Sequence, residues 1–256
     1  NRLLTSMTEE VAALVLRNNY LQSLAISLSE RKGIRDREVL SRLMSVLESR
    51  GQLNRKVETL PDDTTMADRY IAGKPLTRPE IGVLLSYAKI VLFDDILESA
   101  LPDDPYMAGT LADYFPGGMK KAYAADITGH RLHREIVATL LANETINRGG
   151  PGFVQQMVDI TGCAPADVVK AAFLARESFD LTQIWKEIDA LDNVLPGSTQ
   201  NMLYARVEDI FADATRLILQ TKTADGPLEA ASRRLATAIK GMRASLKDLP
   251  ADAELE

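Results

Sequence analysis

Apolar residues recur along this chain at intervals of three and four, and no stretch keeps an interval of two for long. The first spacing lays a stripe along one side of a helix, whereas the second would mark a strand. The clearest case is the stretch from Pro75 to Leu101. Thr77 stands where a helix N-cap is expected, Glu80 follows three residues later to complete a capping box, and Pro79 is tolerated in the first turn. Ile81, Leu84, Leu85, Ala88, Leu92 and Ile96 form the stripe, and Leu101-Pro102-Asp103-Asp104 ends it. The pattern predicts one long helix over 77–100 with most of its length buried.

Residues 6–32 open on Ser6-Met7-Thr8-Glu9, a second capping box, and run to Gly33, where a left-handed C-terminal cap is usual. Val11, Leu14, Val15, Leu21, Ala25 and Leu28 make one stripe, and Leu16, Tyr20 and Leu24 make another on a different side. A helix that is apolar on two sides needs neighbours on two sides. Further helices are expected over 36–58 (with Gly51 a candidate interruption), then a short one ended by Gly73-Lys74-Pro75. Pro116-Gly117-Gly118 separates a short helix from one at 119–127, others follow at 130–148, 152–161, 165–178 and 181–191, Pro196-Gly197-Ser198 precedes one that runs to about Thr221, and a last one opens at Gly226-Pro227. The expectation is an all-α fold, a bundle-like array of about ten helices without substantial sheet. It is read as one module over 1–256, with a candidate subdivision near 149–152.

The chain has 256 residues, 46% of them hydrophobic and 26% charged, which suits a globular protein with a sizeable core. Aromatic residues are only 5%, so that core rests on aliphatic side chains. A net charge of −6 gives no general attraction to nucleic acid. The lone Cys163 cannot form an internal disulfide and suits a reducing compartment. No apolar run approaches the ~18 residues of a membrane helix. A cytoplasmic location is expected, with neither nucleic acid nor membrane as partner. The chain opens Asn1-Arg2 without Met and closes Leu255-Glu256, so it is expected to be cut from a longer polypeptide, with the final pair a vector scar.

Candidate chemistry is sparse. His130 and His133 share a helical face, but two imidazoles fall short of a zinc set, and Arg131 and Arg134 between them oppose a cation. An exposed basic face is the better reading. Gly149-Gly150-Pro151-Gly152 lacks the strand that precedes a dinucleotide loop and reads as a helix-to-helix turn. Asn143 and Asn147 suit helix-end carbonyls, and the pairs Asp94-Asp95 and Asp103-Asp104 suit solvated face and turn. Leu-Pro-Asp-Asp-x-x-Met-Ala occurs twice, from 60 and from 101, and reads as a recurring turn phrase because stacked repeats need a third copy. Arg233, Lys240, Arg243 and Lys247 give the last helix a basic side beside its stripe of Leu228, Ala231, Leu235, Ile239, Met242 and Leu246, and the expectation is a surface helix packed on the core. Trp185 fits either the core or an interface anchor.

Four segments carry a resemblance: Met7 to Tyr20, Leu76 to Lys89, Arg134-Glu135-Ile136 through Asn143 to Asn147-Arg148-Gly149, and Phe179-Asp180-Leu181 through Trp185. In order and spacing they resemble the C-terminal helical region of the large bacterial NAD-specific glutamate dehydrogenases, from residue 1 to about 220. The resemblance implies a parent polypeptide that oxidises L-glutamate to 2-oxoglutarate and ammonia with NAD, its catalytic domain lying upstream. None of that domain's glycine or lysine motifs occurs here, so the resemblance assigns no catalytic, cofactor-binding or metal residue to this chain. Ala164 departs from the Ser or Thr expected before Pro165, a change worth about 1 kcal/mol at a helix start.

Two roles then compete. One is a structural appendage that packs on the catalytic domain and supports a homo-oligomer, through candidate interface residues Leu16, Tyr20, Leu24 and Trp185. The other is an independent helical module that binds a protein partner or regulator. An exposed apolar patch on the first helix would favour the first, and a concave groove with polar rims the second.

Overall fold

The computed structural model describes the backbone of residues 2–247 and the side chains of 7–242 and 245. Among the described residues the chain is helical throughout, with no strand. Ten helices reach nine residues or more: α1 (Arg2–Lys32), α2 (Arg37–Ser49), α3 (Asp63–Ile71), α4 (Arg78–Leu97), α8 (His133–Gly149), α9 (Phe153–Thr161), α10 (Pro165–Ser178), α11 (Leu181–Asp189), α12 (Gly197–Gln220) and α13 (Leu228–Lys247). Three short ones, α5 (Ala108–Asp113), α6 (Gly117–Ala122) and α7 (Ala124–Thr128), fill the stretch between α4 and α8.

The capping chemistry of α4 is as the sequence implies. The Glu80 carboxylate accepts the Thr77 backbone N–H at 2.7 Å and the Thr77 hydroxyl at 2.9 Å. It also receives Arg69 from the end of α3 at 2.8 Å, which ties the two helices across the Gly73 turn. The eight buried residues of α4 include the whole stripe read from the sequence. At its far end, Arg134 of α8 donates to the carbonyls of Leu97 at 2.6 Å and Ser99 at 3.0 Å, carbonyls with no later turn of helix to meet.

Several boundaries differ from expectation. The first helix begins at Arg2, so Ser6 lies inside it instead of capping it. The stretch expected as a helix over 36–58 ends at Ser49; Gly51 turns left-handed at φ 69°, and residues 55–59 form turns. Residues 119–127 divide into α6 and α7 at Tyr123. Asp180, a residue type that can cap the helix expected over 181–191, adopts φ 54° and makes no side-chain cap for α11. Ala164 caps α10 only as extended backbone, and Pro165 at the first position holds the start.

α10 lies at the centre, packed against α4, α8, α9, α11, α12 and α13. Its Ala171, Ala172 and Ala175 are buried beside Val168, Val169 and Leu174, and small side chains let six neighbours approach one helix. α4 packs along α8, and α1 lies across α4, α8 and α12. Buried apolar residues from Leu24 to Leu235 form one continuous core, which passes through the 149–152 turn without a break. In the last helix Leu228, Ala231, Leu235 and Ile239 are buried and Met242 is half exposed; the side chains of Arg243, Leu246 and Lys247 lie outside the described residues.

The two Leu-Pro-Asp-Asp phrases bury their Leu and Pro alike but use their aspartates differently. In the first, Asp62 accepts the Thr65 N–H at 2.7 Å and Asp63 pairs with Arg55 at 2.7 Å. In the second, Asp103 pairs with Arg134, while Asp104 accepts N–H groups from Tyr106 and Leu228 at 2.9 and 3.0 Å. The backbone differs as well: residues 60–62 lead as irregular chain into α3, whereas Leu101–Asp103 form a 3-10 turn.

Candidate functional site

The segment from Thr145 to Val154 is buried at every position, although it holds a helix end and the turn Gly149-Gly150-Pro151-Gly152. Each glycine has its own reason. A Cβ on Gly149 would sit 2.3 Å from Cγ of Phe153, and one on Gly152 would sit 2.2 Å from a methyl of Val39 on α2. Gly150 has φ 85°, a conformation L side chains rarely adopt. The glycines serve close helix packing, which agrees with the reading of this loop as a turn.

Polar groups converge on that turn from three helices. Lys32 at the end of α1 donates to Glu208 of α12 at 2.7 Å, and Asp36 stands 3.8 Å from the same ammonium. Glu208 Oε2 and Ser29 Oγ are buried without a hydrogen-bond partner, and both carboxylate and hydroxyl face Gly150. Burial raises the Glu208 pKa to about 7 against the opposing pull of Lys32. Burial also works against the Lys32 ammonium, yet Glu208 and Asp36 hold its pKa above the ordinary lysine value. Asp36 is raised by burial, with Lys32 opposing.

On the other side of the turn, the Arg148 guanidinium lies 4.0 Å from the centre of the Trp185 ring and 3.5 Å from Glu144. Its side chain is only 5% exposed, Nε has no hydrogen-bond partner, and burial lowers its pKa. Asn147 Oδ1 is likewise buried and unpartnered. Trp185 also packs edge-on against Phe211, whose ring stacks on Phe153 at 5.1 Å. Nearby, Tyr204 bonds both Tyr20 and Asp189, and Asp189 receives Arg17 at 3.1 Å. Sequence reading did not find Glu208, Lys32 or Arg148; a lone Glu in a stripe with Tyr204 and Phe211 was the one available signal.

The interface candidates separate. Leu16 is 68% exposed and Tyr20 40% exposed. Leu24 and Trp185 are buried core residues and offer no open surface, Leu24 because α4 and α8 flank that part of α1, Trp185 because Arg148 and Phe211 cover it. The basic face expected at 130–134 is in part committed: Arg134 caps α4, His133 Nε2 stands 3.4 Å from Asp103, and His130 packs on Phe115. Among the described residues no three His, Cys, Asp or Glu side chains converge as a metal set, and no helix is long and apolar enough to cross a membrane.

A cavity of about 280 Å³ lies beneath α2, walled by Leu43, Val46, Leu92 and Val154. Its lining includes two two-pronged ion pairs, Arg42 with Asp159 and Arg50 with Asp95. It has no aromatic wall on which a base would stack, and both guanidinium groups already have carboxylates.

A family model described as "Glutamate dehydrogenase, C-terminal" matches residues 73–256. The chain belongs to this family. The NAD-specific glutamate dehydrogenase of Halomonas elongata is 39% identical over 226 residues, and that of Pseudomonas aeruginosa is 39% identical over 222. Each match covers 87% of this chain and 14% of the relative. The Mycobacterium tuberculosis protein of the same description is 30% identical over 241 residues, 94% of this chain and 15% of its own length. The chain therefore spans about one-seventh of the length of the relatives it matches. The matched span of this glutamate dehydrogenase family starts at the Gly73 turn, just before α4. α1 and α2 precede it and still place Leu28, Leu40 and Met44 in the same core.

Proposed function

We propose that this chain is a non-catalytic, structural part of an NAD-specific glutamate dehydrogenase, whose complete polypeptide converts L-glutamate, NAD and water to 2-oxoglutarate, ammonia and NADH in the cytoplasm. Its role is to pack on the catalytic part and to support assembly of a homo-oligomer. The observation that carries the reading is the pairing of family and coverage: relatives with that activity match along most of this chain but over only 14% of their own length. The side chains support it too. Lys32 and Glu208 beside Gly150 join α1 to α12, and the cavity under α2 has no aromatic wall and holds guanidinium groups already paired with carboxylates.

A full-length polypeptide carrying this chain is expected to reduce NAD with L-glutamate. The 256-residue chain alone is expected to do neither this nor to bind NAD. Steady-state NADH production and calorimetric titration measure the two. Stoichiometric micromolar NAD binding to the isolated chain would overturn the non-catalytic assignment. The alternative, an independent partner-binding module, gains less support, because the exposed apolar surface lies on the first helix.

A further inference from the structure

From Thr8 to Tyr20, thirteen successive residues of α1 are exposed, on every side of the helix. The core-facing stripe of Leu21, Ala25 and Leu28 continues into Val11 and Leu14, which are 47% and 42% exposed. Leu16 and Tyr20 are open on another side at 68% and 40%. The helix overhangs its own core.

An overhanging helix with no packed face has little to hold it, since helices of this length are marginal in water without tertiary contacts. Here three polar contacts tether it. Glu10 accepts the Gly117 N–H at 2.7 Å, Arg17 pairs with Asp189 at 3.1 Å, and the Tyr20 hydroxyl meets that of Tyr204 at 3.1 Å. These contacts fix its direction and leave Val11, Leu14, Val15 and Leu16 between 42% and 68% exposed, so an apolar surface is presented in a set orientation.

We infer that residues 8–20 insert into an apolar groove formed by the part of the same polypeptide that precedes this chain. The inference rests on the proposed function and names the surface that would do the packing. Three observations select this occupant. Relatives carry about six-sevenths of their length outside the matched region, and the family description places that region at the C-terminal end. Apolar residues on two sides require an enclosing groove, which a copy of the same helix laid along one seam does not supply. The segment is about 20 Å long by helix rise, too short to build alone the ~1,200 Å² or more of a stable interface between separate chains, whereas a covalent link removes that requirement. Glu9, Glu10 and Arg17 are its charged residues, and two of these already have partners, so the groove is apolar rather than charged.

Hydrogen exchange at 8–20 tests this in the 256-residue chain and in a full-length polypeptide that ends with it. Exchange is expected to slow by at least about 100-fold in the full-length protein. The double variant Leu14→Asp, Leu16→Asp should abolish that slowing, while circular dichroism of the 256-residue chain stays unchanged because both positions are exposed. Equal exchange in the two proteins, with glutamate-dependent NADH production intact, would overturn the docking inference and leave the proposed function standing. Absence of that activity from a folded full-length protein would instead sink the function. Sedimentation showing the isolated chain as a dimer that the double variant dissolves would assign the face to a second copy and defeat the inference.

Discussion

Tyr20 on α1 and Tyr204 on α12 meet hydroxyl to hydroxyl at 3.1 Å, although 184 positions separate them in sequence. Tyr204 is 2% exposed and also donates to Asp189, so its hydroxyl stands between an exposed ring and a carboxylate. Burial, then the hydrogen bond to Asp189, pushes its pKa above the ordinary tyrosine value.

Tyr20→Phe removes the exposed end of this pair and should cost under about 1 kcal/mol. Tyr204→Phe strips Asp189 of a buried donor and should cost about 1–2 kcal/mol. Urea unfolding of both variants and the double variant checks the order. A larger loss for Tyr20→Phe would mean that the hydroxyl pair, and not the Asp189 bond, holds α1 to α12.

Glu208 gives the fold a specific pH dependence. Its folded pKa of about 7 lies above its ordinary value of 4.5, so the folded chain keeps a proton that the unfolded chain releases between those limits. The associated stability is fully present below pH 4.5 and lost as pH rises through 7, with a slope approaching about 1.4 kcal/mol per pH unit. Glu208→Gln should remove that slope. Denaturant midpoints of wild type and variant at several pH values give the difference, and parallel curves would show that Lys32 keeps Glu208 ionised throughout.

The glycine turn should answer substitution unequally. Gly149→Ala and Gly152→Ala drive a Cβ into Phe153 and Val39 and should each cost about 1–3 kcal/mol or more. Gly51→Ala meets nothing within 4 Å and carries only the strain of φ 69°, about 1–2 kcal/mol. Thermal unfolding ranks the three. Val39→Ala should restore part of the Gly152→Ala loss and none of the Gly149→Ala loss.

Arg148 is a buried cation whose nearest carboxylate, Glu144, is itself 31% exposed. Glu144→Ala removes the carboxylate nearest the guanidinium and should destabilise by roughly 2 kcal/mol or more. Arg148→Met, which removes the charge and keeps volume against Trp185, should be milder. The reverse order in unfolding experiments would mean that the stacked guanidinium, and not charge neutralisation, stabilises this corner.

Much of the helical frame was legible in the sequence because its signals are local. Thr77 with Glu80, Pro165 at the start of α10 and Gly162 at the end of α9 act through neighbours within one turn. Failures came where a local signal was overridden. Val57 has the spacing to extend the stripe of Val39, Leu43, Val46, Leu47 and Leu53, but Gly51 turns the chain before it, and Val57 is 73% exposed. Of the polar cluster at Gly150 the sequence offered only Glu208 within a stripe of Tyr204 and Phe211, since Ser29, Lys32, Gly150 and Glu208 meet only after three helices have packed.

The sequence by itself determined that this is a helical protein, where most helices stop, and, through a pattern running from residue 1 to about 220, to which family it belongs. Tertiary structure alone decided which apolar residues are covered. Periodicity fixes the angle of a side chain about its helix axis, but burial depends on what else passes at that level. Leu14 and Leu28 lie within the stripe read from one helix; Leu28 is 7% exposed because α1 there crosses the core, and Leu14 is 42% exposed because the same helix has run past it.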